Sequence, residues 1–182
     1  VTTLSSTTRG PRRAAATIAL LTAVLVGAAA CATSESAGSD GPSASPAPAQ
    51  AEPVTLATLE GEEVTVPADK PAVMFFFTVN CGSCAQGAAA LGEAHAQAAE
   101  QADFLAVDID PNEPAEYITE LLDTVQAADV PAATDTDGAL SSTYEVTALG
   151  TLLIATPDGQ VAYRATDPSA EQILAALEEV GA

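Results

Sequence analysis

Two cysteines separated by two residues, Cys81 and Cys84 in FTVNCGSC, are the residues of this sequence best suited to chemistry. A CxxC pair can exchange electrons as dithiol and disulfide, hold half of a metal site, or staple a turn. The staple is the weakest of these, because a bridge closing so small a loop removes little chain entropy from the unfolded state. A closed zinc site needs four ligands, and the chain has no second CxxC and a single histidine. Redox exchange needs a thiolate. The pair stands between an apolar run, AVMFFFTV, and a helical pattern, so the first sulfur would meet the free N–H groups and dipole of a helix N-terminus. That spacing makes Cys81 the attacking thiol and Cys84, one turn inside the helix, the resolving thiol.

Other residues carry weaker signals. His95 falls on the helix after the pair, on the face of Leu91, and reads as a packing histidine, with a copper ligand as the sharper alternative. TDTDG at 134–138 resembles half of a calcium loop without its distal acid and reads as a turn and helix cap. Asp108 and Asp110 read as solvated acids at a strand end. Thr78 and Cys81 give a TxxC spacing, but no arginine is placed to activate a peroxide.

The elements that must position the pair follow from hydrophobic period. VTLATL (54–59) and EVTVP (63–67) predict a hairpin around Gly61, AVMFFFTV (72–79) a buried central strand, and residues 84–102 a helix. DFLAVDID (103–110) predicts a second buried strand. A helix over 116–127, with Tyr117, Leu121 and Val125 on one face, and a short strand in VPAATD (130–135) follow. A brief helix over 138–145, strands at 150–156 and 160–164 around a PDG turn, and an amphipathic helix over 169–180 complete the pattern. Strands alternating with helices imply an α/β domain with a covered sheet.

At these residues the chain resembles the thioredoxin superfamily, and more narrowly the membrane-tethered TlpA/ResA-like thioredoxins. The resemblance spans residues 54–182 and rests on the hairpin, the strand entering CGSC, the extra helix and strand after DFLAVDID, and YEVTALGTLLIATPDGQVAYR. It implies a thioredoxin-like fold, a central mixed sheet flanked by helices with an N-terminal hairpin and a helix–strand insert. It also implies an extracytoplasmic thiol–disulfide oxidoreductase, acting through Cys81 and Cys84 on protein disulfides in the reducing direction. The implied partners are protein thiols and a membrane electron donor of the CcdA/DsbD kind, with no cofactor. A thioredoxin-like lipoprotein that captures copper, another soft metal or a partner without turnover is the alternative. The family's substrate-binding segment falls at Leu149 and Gly150, and Gly150 stands where the family has a cis-proline. Asn80 replaces the aromatic before the first cysteine, Phe75 the buried acid of cytosolic thioredoxins, and Gly87 a glutamate that ResA-like proteins can carry. No base beside the pair is recognisable in the sequence.

The N-terminal part reads as an export signal over residues 1–30. Arg9, Arg12 and Arg13 precede an apolar run from Ala14 to Ala30, shorter than the roughly 20 residues a spanning helix needs. VGAAAC resembles a bacterial lipobox, which implies lipidation of Cys31 and accounts for an odd cysteine in an oxidising compartment. Residues 31–53 read as a lipidated cysteine and a tether rich in Ser, Ala, Gly and Pro, reaching about 25 Å as a coil. Cleavage before Cys31 would leave Lys70 and Arg164 as the cations against all 25 acids. Such a surface repels nucleic acid and anionic headgroups, so the lipid would hold the protein to the extracytoplasmic face of the cell membrane.

Overall fold

The computed structural model of the protein describes residues 50–181. Expectations for the export signal, for Cys31 and for the tether up to residue 49 lie outside the described residues. Seven strands and four helices follow in the order β1 (Val54–Ala57), β2 (Glu63–Val66), β3 (Ala72–Phe77), α1 (Cys84–Ala98), β4 (Asp103–Asp108), α2 (Ala115–Thr124), β5 (Ala132–Thr134), α3 (Ala139–Thr143), β6 (Thr151–Ala155), β7 (Val161–Thr166) and α4 (Ala170–Val180).

Every side chain of β3 is fully buried, which the unbroken apolar run requires of a strand covered on both faces. Its neighbours are β4, parallel, and β6, antiparallel, in a five-stranded sheet of order β5-β4-β3-β6-β7. Strand alternation then divides the core. Val73, Phe75 and Phe77 pack with residues of α1, α2 and α4, including Leu91, Ile118 and Ile173. Met74 and Phe76 pack on the opposite face with Leu140 of α3, Tyr144 at the C-terminal cap of that helix and the hairpin's Val66. The mixed sheet, flanking helices and N-terminal hairpin are those the sequence predicts.

The hairpin β1–β2 forms its own two-stranded sheet and is hooked to β5 by Leu59, whose N–H donates to Ala132 at 2.7 Å. That contact covers an edge which would otherwise present unpaired backbone. At the other end of the described chain, the Ala51 N–H donates to Gly159 O in the β6–β7 turn at 3.1 Å. Because β6 runs antiparallel to β3, this turn lies at the end of the sheet remote from Phe77. Among the described residues no helix is long and apolar enough to cross a membrane.

Two expectations are corrected. The first helix ends at Ala98, and residues 99–102 form a turn in which the Gln101 and Ala102 N–H groups both return to Ala98 O. In α2, Ile118 and Leu122 are fully buried and the predicted Leu121 and Val125 are half-buried against the same core, while Tyr117 is 51% exposed, so the inward face is broader than predicted and leaves Tyr117 outside. The branched aliphatic pair fits against α1 and β4, and the phenol keeps its hydroxyl in water.

α1 is rich in Ala and Gly, which lets it sit close to its neighbours. At Gly92 an added Cβ would lie 2.9 Å from Ala127 Cα and from Gln126 O, both backbone atoms. Alanine is the better helix former by about 1 kcal/mol, so propensity and packing oppose each other here. Gly92→Ala is expected to lower the unfolding free energy by about 1–3 kcal/mol in urea titration, the cost of overpacking. A gain in stability would show that the contact yields.

Candidate active site

β3 ends at Phe77, and the chain turns through 78–80 to place Cys81 just ahead of α1. The Cys81 N–H donates to Thr78 O, and the Cys84 N–H to Cys81 O, each at 3.1 Å. The two sulfurs are joined in a disulfide, with Cα atoms 5.3 Å apart. The pair is asymmetric: Cys84, the first residue of α1, is completely buried, whereas Cys81 is half-buried and its Sγ lies 3.7 Å from Ser83 Oγ. Ser83 caps the helix with no side-chain bond, and no acid occupies the first turn. The positive end of the helix dipole is therefore left for a thiolate at Cys81 once the bridge opens.

The structure brings Gly150 to the end of β3, where its N–H donates to Phe76 O at 2.9 Å. Its carbonyl accepts from the Asp167 N–H at 2.8 Å, so both backbone groups are used within the fold. Gly150 has φ +77°, an angle proline cannot take. Among the described residues the cis peptide is Val66–Pro67, at the end of β2. Leu149, next to Gly150, is 39% exposed and presents an apolar side chain beside this buried hinge.

Two acids, one read from the sequence as solvated and one not singled out there, are brought to the redox end of the sheet. Asp108 pairs in register with Phe77 and is completely buried, which corrects the solvated reading. Its Oδ1 accepts from the Asp110 N–H at 2.8 Å, while Oδ2 has no partner. Burial, helped by the charges of Glu113 and Asp110, pushes its pKa up to about 6 against the opposing Asp110 hydrogen bond. Asp167, after β7, has φ +44° and a buried Oδ1 without a hydrogen-bond partner. Its carboxylate lies against Gly150, where an added Cβ would collide with Oδ1 and come within 2.9 Å of Cγ. The same oxygen is 3.0 Å from the Cβ that Gly87 lacks, a position also closed by the Phe75 ring.

The remaining candidates stay apart from the pair. His95 packs edge-on against Phe104, with ring centroids 5.3 Å apart. It stands eleven residues along α1 from Cys84, about 16 Å by helical rise. Asp135 accepts from the Leu140 and Ser141 N–H groups at 3.0 and 2.8 Å, holding the first turn of α3. Among the described residues no group of three or more His, Cys, Asp or Glu is placed to hold a metal ion.

The Redoxin family profile matches residues 36–180. A protein of Streptomyces lividans described as mercury resistance operon ORF3 is 49% identical over 131 residues, covering 70% of this chain and 69% of its own. Among solved structures, StoA of Bacillus subtilis superposes with a TM-score of 0.61 at 20% identity, over 71% of this chain and 98% of its own. A secreted Mycobacterium tuberculosis disulfide oxidoreductase homologous to E. coli DsbE gives 0.59 at 19% identity, over 69% and 95%. These two likenesses bear on the fold. The chain belongs to the Redoxin family, and with its Cys81–Cys84 pair it is a thioredoxin-like oxidoreductase.

The raised pKa of Asp108 has a consequence for stability. The folded state holds this proton more tightly than the unfolded chain, so the contribution is present below pH 4 and is lost as pH rises towards 6. The loss amounts to about 3 kcal/mol. Urea unfolding of the wild type between pH 4 and 6.5 is expected to show that extra decline relative to Asp108→Asn, which keeps the acceptor for Asp110. Parallel curves would assign the burial cost elsewhere.

Proposed function

We propose that this Redoxin-family chain is an exported thiol–disulfide oxidoreductase that works in the reducing direction on protein disulfides. The asymmetry of the pair carries the reading: a half-buried Cys81 ahead of an uncapped helix, and a Cys84 sealed beneath it. In the dithiol form the Cys81 thiolate attacks a substrate disulfide, forming one S–S bond and releasing a substrate thiolate. Cys84 then attacks Cys81 Sγ, closing the intramolecular bridge and releasing the second substrate sulfur as substrate gains two electrons. Leu149 is the apolar rest for the substrate segment and Gly150 the hinge behind it. A membrane thiol-electron donor restores the dithiol.

Export through residues 1–30, lipidation at Cys31 and a tether to residue 53 belong to the same proposal. The described chain enters beside the β6–β7 turn, so a tether would join the domain at the end of the sheet away from Phe77. Mass spectrometry of the mature N-terminus is expected to find a diacylglyceryl group on Cys31. A free thiol at that residue would rule the anchor out.

A second reading is capture of a soft cation by the reduced pair without turnover. The relative described by a mercury resistance operon favours it, since two adjacent thiolates suit a soft ion. Both readings meet in one experiment on the purified full chain. Catalytic reduction of a disulfide-bonded peptide, abolished by Cys81→Ser and trapped as a mixed disulfide by Cys84→Ser, is the expected result. Stoichiometric uptake of mercuric ion with no peptide reduction would replace the enzyme with the binder.

A further inference from the structure

We infer that Asp167 is the proton-transfer residue of the redox pair, reaching Cys84 through space left by two glycines and exchanging protons with solvent through a groove. The inference rests on the disulfide exchange proposed above. Its starting point is the Asp167 carboxylate, whose buried Oδ1 has no hydrogen-bond donor. A buried acceptor left without a donor is destabilising, and the left-handed backbone at Asp167 adds strain. Gly150 opens the space that this carboxylate fills, and Gly87 lets both the Phe75 ring and Asp167 Oδ1 approach α1.

Cys84 and Gly87 are three apart on α1, and both are buried. Side chains so spaced stand on one face with Cβ atoms about 5–6 Å apart. Asp167 Oδ1 is 3.0 Å from the vacant Cβ position of Gly87, beside the Phe75 ring, so the carboxylate lies against the face of α1 that carries Cys84 one turn earlier. In the inferred path a water carries the proton across the remaining distance. Asp167 also lines a groove of about 690 Å³ along α1 and the start of α4, bounded by Gln86, Ala90, Glu93 and Ser169. Against the carboxylate stand Gly150 before β6 and Gly87 of α1, the latter beside Phe75 of β3, while Val125 and Gln126 after α2 and Ala170 of α4 line the rest of the groove. Glu93 of α1, across the groove, and the two cysteines are the other ionisable groups near it.

In the resolving step the Cys84 thiol proton passes to the Asp167 carboxylate as Cys84 Sγ attacks Cys81 Sγ. The Cys81–substrate bond breaks and the substrate sulfur leaves as thiolate. Asp167 returns the proton to that thiolate or to water in the groove, which regenerates the carboxylate. The pair is oxidised by two electrons and the substrate disulfide is reduced.

The test uses the full chain and Asp167→Asn, since asparagine tolerates left-handed backbone and keeps the shape of the side chain. Resolution of a preformed Cys81–peptide mixed disulfide is followed by rapid mixing from pH 6 to 10. A loss of about a hundredfold near pH 6.5 is expected, closing above pH 9, where the thiol ionises unaided. An equal loss at every pH, or none, overturns the inference. The Cys84 Cβ resonance of the reduced protein gives a readout independent of turnover. Loss of the neighbouring charge is expected to lower the Cys84 titration midpoint by about 1 pH unit. A chain that exchanges no disulfide yet shows this shift overturns the proposed function and leaves the Asp167–Cys84 pairing standing; coincident titrations overturn the pairing. Asp167→Gly, which accepts positive φ without strain, repeats both measurements should the asparagine variant not fold.

Discussion

Burial of Ala72–Phe77 on both faces fixes where the chain can turn, and the redox pair is placed by that turn. The five larger side chains of β3 are each worth about 2 kcal/mol on leaving water, on the order of 10 kcal/mol together. That is comparable with the whole net stability of a domain of this size. A strand held so firmly cannot slip in register without turning each side chain to the wrong face. Cys81 therefore stands at a fixed height above the sheet, and α1 begins where β3 directs it.

The second constraint is the smallness of α1. Leu91 is its one large aliphatic residue, and its glycines face outward elements directly, Gly92 towards the end of α2 and Gly87 towards Phe75 and Asp167. A helix of larger residues would stand further from the sheet and leave no narrow space beside Cys84. Close approach of backbone, at the expense of side-chain burial, makes room for an acid among apolar neighbours. Asp108 shows the same economy at the adjacent strand end, a carboxyl buried with one hydrogen bond and no cation to balance it.

Much of the architecture was legible in the sequence because its signals are local. The run AVMFFF can only be a doubly covered strand, CGSC before an alanine-rich stretch marks a strand-to-helix turn, and PDG between two short apolar runs marks a hairpin. The face of α2 was not legible. Tyr117, Leu121 and Val125 make as good a stripe in sequence as Ile118 and Leu122, and only packing decides that the second pair is sealed, Leu121 and Val125 half-covered and Tyr117 exposed. Asp108 was misread for a related reason: an acid at a strand end is ordinarily wet, and its burial is decided by the packing around Phe77.

By itself the sequence determined the thiol pair, its place between strand and helix, and the absence of proline at position 150, since these depend on residue identity and short spacing. Tertiary structure decided what stands in that proline's place. Asp167 is 17 residues beyond Gly150 and 80 beyond Gly87 in the chain, and no local pattern links the three. They meet because β6 and β7 return antiparallel beside β3 and deliver the start of α4 to the redox end of the sheet. There the missing Cβ at Gly150 leaves the place that the carboxylate takes, and the missing Cβ at Gly87 lets the Phe75 ring and Asp167 Oδ1 come close to α1.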